Sequence, residues 1–171
     1  MKSTMTQLSR SFLSLIGIAT IAATGLTTPM QGADLREALD SVKWSGILGT
    51  WVDSETKGEQ VKVAYTWKFK NKLIEVRSKM GKTRGISLMG FNPDTEEVFM
   101  MGGNNKGGGS TGKWSMDGED AVLELSFVSE TGDKGRMKIK HHRVDEDTIK
   151  ITGSSEESDE EFTVTLSLIH I

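Results

Sequence analysis

Leu48-Gly49-Thr50-Trp51, with Gln60-Val61-Lys62-Val63-Ala64-Tyr65-Thr66-Trp67-Lys68-Phe69 behind it, decides the fold of this chain. Val61, Val63, Tyr65, Trp67 and Phe69 alternate with Lys62, Ala64, Thr66 and Lys68. A period of two is that of a strand with one buried face, so the first row is expected inside. Gly49 and Trp51 stand at the start of the first strand and are the candidate barrel-end residues.

The rest of the chain repeats the theme. Asn71-Lys72 turns into a strand with Ile74, Val76, Ser78 and Met80 on one face and Glu75, Arg77 and Lys79 on the other. Ile86 to Phe91 and Val98 to Met101 flank Asn92-Pro93-Asp94-Thr95, where Pro presets φ and Asn can bond its own backbone. Further strands are read over 111–116, 121–128, 136–144, 148–152 and 162–169, with Asp117-Gly118 as the strongest hairpin signal. The expected fold is all-β, an antiparallel barrel of about nine or ten strands, since closure hides the edges of so many short strands. Upstream, Leu35, Ala38, Leu39 and Val42 fall on one helical face behind Asp34 as N-cap, which predicts a short helix over 34–43 lying on a barrel end.

Residues 1–33 read differently. Lys2 and Arg10 form a basic start, Phe12 to Leu26 an apolar run, and Thr27 to Ala33 a small and polar stretch, the pattern of a Sec-type signal peptide. The run is shorter than a membrane span needs, and no second one follows. A periplasmic or extracellular destination is expected, with no membrane span in the mature chain. Residues 34–171 then form one barrel domain, with strands from about residue 49.

Lys2 and Arg10 are the only charges in the leader, so 21 basic residues become 19 against 24 acidic, a balance of −5. Nucleic acid and anionic membranes need clustered positive charge and are not expected partners. With no cysteine, the core must hold the fold without disulfides. The run Glu156-Glu157-Ser158-Asp159-Glu160-Glu161 lacks the ligand spacing of a calcium loop and reads as a solvated hairpin.

No catalytic constellation emerges, and no metal or cofactor is expected. The adjacent His141 and His142 point to opposite faces of a strand, while His170 extends the row Phe162, Val164, Leu166, Leu168, inward if the strand reaches that far. Gly102 to Gly112 contains a formal G-x-G-x-x-G, but a strand and not a helix follows, so it is no dinucleotide fingerprint. It reads as a hairpin loop at a barrel mouth, with a lid over a cavity as the functional alternative. Tyr65, Trp67, Met89, Phe91 and Trp114 are the candidate lining of such a cavity, each with core packing as the plainer role. Six methionines outside the leader suit an adaptable apolar interior.

Leu48-Gly49-Thr50-Trp51, Thr66-Trp67, Met89-Gly90-Phe91-Asn92-Pro93-Asp94-Thr95 and a Gly-rich stretch closing on Gly112-Lys113-Trp114 form an ordered set. In this the chain resembles the secreted bacterial lipocalin-like, calycin-type barrels of domain of unknown function number fifteen seventy-nine and its relatives. The resemblance implies a calycin-like fold over about residues 44–171 and carries no activity with it. Lipocalins proper have a Thr-Asp-Tyr element and an Arg near the last strand, and this chain has neither; heme-binding nitrobindins follow Gly-Thr-Trp with Gly-x-Gly, where Val52-Asp53-Ser54 stands here. Two functions are therefore expected to compete: a barrel binding a small apolar molecule, and a structural or interaction protein filled by its own side chains. A heme or metal carrier using His170 or His142 is the third.

Overall fold

The computed structural model describes residues 34–156 and 161–170. The leader expected over 1–33 and the acidic positions 157–160 lie outside the described residues.

Helix α1 (Leu35–Ser41) starts where the Asp34 carboxylate accepts from the backbone N–H of Glu37 at 3.0 Å, and it buries Leu35, Ala38 and Leu39. A 3₁₀ turn, Ser45–Ile47, leads into ten strands. These are β1 (Gly49–Asp53), β2 (Val61–Phe69), β3 (Leu73–Met80), β4 (Thr83–Asn92), β5 (Glu97–Asn104), β6 (Gly109–Asp117), β7 (Asp120–Val128), β8 (Lys134–Arg143), β9 (Thr148–Ser155) and β10 (Glu161–Ile169). Each strand pairs antiparallel with the next, and β1 pairs with β10, so the sheet is a closed barrel.

Local chemistry sets the turns. Asn92 Oδ1 accepts from the Asp94 amide at 3.0 Å, and Gly118 takes φ +64° between β6 and β7. Gly49 sits at φ +135°, and a Cβ there would lie 2.6 Å from Leu168 Cδ1, so the Gly of Gly-x-Trp is required twice over. Asp53, at the far end of β1, accepts from the Thr56 hydroxyl and amide at 2.6 Å each and from the Val61 amide at 2.8 Å. The Thr56 hydroxyl first, with the two amides behind it, holds this carboxyl down at about 2 and pins the 54–60 turn.

Two expectations need correction. The stretch 102–112 is mostly strand: β5 runs to Asn104 and β6 starts at Gly109, leaving 105–108 as the loop. Asn104 Oδ1 closes that loop by accepting from the amides of Lys106 and Gly108. Gly102 is small because a Cβ would collide with Ser87 and the Ile86 carbonyl on β4. The row from Val61 is inward only as far as the register holds; it slips between Trp67 and Phe69, and Phe69 is 65% exposed.

The two barrel ends differ. At one end α1 and the 3₁₀ turn close the barrel, with Trp51 fully buried and its indole N–H bonded to the Ile47 carbonyl at 2.7 Å. The cap is tied down from several sides. Trp44 Nε1 donates to the Glu119 carbonyl at 3.1 Å, Lys72 reaches Asp34 at 2.9 Å, and Arg143 Nη1 donates to the Lys43 carbonyl at 2.8 Å. The Arg143 guanidinium also lies 4.6 Å over the Trp44 ring, so an arginine packs on a cap tryptophan from β8 and not from the last strand. The turns 81–82, 105–108 and 129–133 lie at the opposite end.

Candidate functional site

Behind those turns the interior is open. A cavity of about 300 Å³ runs into the barrel, walled by Val61, Val63 and Tyr65 of β2, Val76 and Ser78 of β3, Leu123 and Leu125 of β7, Ile139 and His141 of β8, Ile151 of β9 and Val164 of β10. Alternation puts these side chains on one face of each strand. Gly85, Ser87, Gly103 and Ser110 line the β4–β6 side, where small residues leave the space. Met80, Val128 and Phe162, at the mouth, are 54, 42 and 39% exposed. Among these wall residues there is no Asp, Glu, Lys or Arg.

Tyr65 and Trp114 form the floor, because both also border the tightly packed seam against Leu39, Trp44, Ile47, Met89 and Ala121 beneath the cap. His141 joins them, with its ring centroid 4.9 Å from Trp114 and edge-on to Trp44 at 6.5 Å. Burial holds its imidazole neutral, pushing the pKa down to about 4. The carbonyls of Ile139 and Ala121 offset this in part, yet Nδ1 closes no hydrogen bond. Trp114 Nε1 is likewise buried and unpaired. Burial also drives the Tyr65 hydroxyl upward, so it stays protonated.

Of the five residues picked from sequence, the cavity brings together Tyr65 and Trp114. Met89 lies below the floor in the packed seam, and Trp67 and Phe91 pack against the core without bordering the cavity. Gly49 and Trp51 are at the capped end. His141 is not among those five, although Met137, Ile139 and His141 share one row against Lys138, Lys140 and His142.

No family model and no curated protein matches the chain.

His142 and His170 are elsewhere. His142 Nδ1 meets Asp120 Oδ1 at 2.7 Å on the outer wall, and β10 ends at Ile169, so His170 is outside with its Nε2 2.8 Å from Asp147. These cross-strand pairs are invisible to local spacing. Among the described residues, no three of His, Asp or Glu gather as a metal site. A larger hollow of about 600 Å³ lies between β6, β7 and β8, but it is a solvent-open groove lined by Lys134, Arg136 and Glu156.

Proposed function

We propose that this chain is an exported lipocalin-like barrel that holds one small apolar molecule inside, and that it is kin to the secreted bacterial barrels it resembles. The observation that carries this is the cavity of about 300 Å³ with aliphatic walls and one open end. Ligand pockets are typically concave, mostly apolar and about 300–1,000 Å³. A barrel filled by its own side chains would be packed at both ends, as the capped end is here.

The test is titration with the uncharged fluorophore N-phenyl-1-naphthylamine. Saturable binding to the folded protein, with a melting temperature that rises with probe by mass action, is expected. Leu125→Trp, which fills the cavity, should abolish it. No saturable binding to native protein would overturn the proposal. The export part is tested separately, since the secreted protein should begin near residue 34, and an intact Met1 on a cytoplasmic protein would end it.

The interaction reading keeps one observation in its favour. Ile86 and Met101 stand 57 and 49% exposed on the outer wall of β4 and β5, next to Leu88, the cross-strand partner of Met101. Self-association abolished by Ile86→Lys with probe binding intact would support it.

A further inference from the structure

The cavity has two unlike sides, and the following rests on its being a ligand site. Over β7 to β10 the wall is aliphatic, built from Leu125, Ile139, Ile151 and Val164. Across the barrel, β3, β4 and β6 contribute Ser78, Ser87 and Ser110. Alternation turns these serines inward, since Ser78 is two residues from buried Val76, Ser87 two from buried Met89 and Ser110 four from buried Trp114. Ser87 and Ser110 both stand opposite Gly102 in their ladders, which puts them at one level, two strand spacings or about 9–10 Å apart. Glycines make room for the hydroxyls. Ser78 Oγ lies 2.6 Å from where a Gly85 Cβ would stand, and Ser87 Oγ takes the place of a Gly102 Cβ, leaning towards Ser110. Among the described residues no hydrogen bond reaches the hydroxyl of Ser78, Ser87 or Ser110, and none of the three is among the fully enclosed unpaired atoms. On an inward face, the surface they keep is the cavity's.

A wholly apolar occupant would strip these hydroxyls of water and leave them unpaired, at a cost to its affinity. A hydroxyl donates once and accepts twice, so each serine can meet a hydroxyl or a carbonyl. An ionised group is disfavoured, because the wall residues offer no counter-charge and a charge buried in apolar surroundings is costly unless paired. The serines stand along one side of the cavity, so the polar groups that meet them must lie along one edge of the ligand. About 300 Å³ holds about ten water-sized groups, the size of a two-ring skeleton. We infer that the ligand is an uncharged, two-sided molecule, with hydroxyls or carbonyls spaced along one edge for Ser87 and Ser110 and an apolar opposite edge against Ile139, Ile151 and Val164.

Calorimetric titration with two isomers of one skeleton tests this at neutral pH, where both are uncharged. Naphthalene-2,7-diol carries its hydroxyls on one long edge. Naphthalene-2,6-diol carries them on opposite edges, so one of its hydroxyls must face the aliphatic wall. The 2,7-isomer should bind at least about tenfold more tightly. Ser87→Ala combined with Ser110→Ala should bring the two isomers to within about twofold of each other. Ser110→Ala alone, which should narrow the gap, is the second variant should the first not fold. Equal affinities in the parent, or neither diol binding a protein that does bind N-phenyl-1-naphthylamine, would overturn the inference and leave the cavity proposal standing. A gap that survives undiminished in a folded variant would overturn the role given to the serines. If N-phenyl-1-naphthylamine itself never binds, the cavity proposal and this inference fall together.

Discussion

The indole N–H of Trp51 and the carbonyl of Ile47 lie 2.7 Å apart, so the side chain that plugs the barrel also holds the cap. Three residues lie between them, and one of these, Gly49, has φ +135°. Plug and cap are one unit.

Trp51→Ala should therefore cost about 3–5 kcal/mol, a large share of a typical total of about 5–15. Trp51→Phe keeps most of the volume and leaves the Ile47 carbonyl unpaired, at about 1–3 kcal/mol. Urea midpoints decide it; a Trp51→Phe midpoint equal to that of the parent would mean the hydrogen bond contributes nothing.

Glycines in the β5–β6 hairpin should differ sharply. A Cβ at Gly102 would meet the Ser87 Cα at 2.7 Å, which no side-chain rotation relieves, whereas at Gly109 the nearest atom is the Gly102 carbonyl oxygen at 3.7 Å. Gly102→Ala should destabilise by about 1–3 kcal/mol and Gly109→Ala by less than about 0.5. Thermal midpoints that move equally would contradict the close approach of β4 to β5.

Acid should weaken the fold in two steps. Buried His141 titrates at about 4 in place of its ordinary 6.5, so the unfolded chain takes up that proton first. Stability is full above pH 6.5 and falls as pH drops from there to about 4. Asp53, held at about 2 against 3.8, adds stability that is full above its unfolded value and lost as pH falls from 3.8 towards 2. His141→Phe should flatten the upper step and leave the lower one; an unchanged profile between pH 6.5 and 4 would refute the assignment.

Asp53→Ala should loosen the 54–60 turn ahead of any global effect, because the Thr56 and Val61 amides lose their acceptor. Hydrogen exchange at these two amides should quicken selectively. Protection equal to that of the parent would show that Asp53 is dispensable there.

Trp67→Ala should weaken the fold and leave probe affinity in the folded protein unchanged, since Trp67 packs on the core away from the cavity walls. A variant that folds normally and loses the probe would place Trp67 at the ligand.

That last case shows how far the sequence reaches. Alternation told which face Tyr65 and Trp67 share, and the Asp34 cap, the Asn92 turn and the Asp117-Gly118 hairpin were all legible, because each depends on chemistry within a few residues. Depth along the barrel is not local. Tyr65 meets the cavity floor and Trp67, two residues nearer the cap, does not. The strands through Gly102 and Gly112 were hidden for a related reason: glycine has little strand preference of its own, and close pairing with Ser87 and Leu125 imposes extension there. His141 was readable in principle from its row, but its burial needs Trp44 and Trp114 to converge from distant segments.

The seam between β1 and β10 joins Thr50–Asp53 to Leu166–Ile169, as short as the β1–β2 ladder and the one between the most distant segments. Every other ladder joins chain neighbours and can form as the chain lengthens. During synthesis, N-terminus first, β1 and its unpaired edge must wait until residues 166–169 emerge. Until then the sheet is an open ribbon with its apolar face uncovered, a state prone to edge-to-edge association. Such late closure makes folding slow for a chain of this size, and it makes the timing of the last strand, more than the strength of any single contact, the step a helper protein would have to guard.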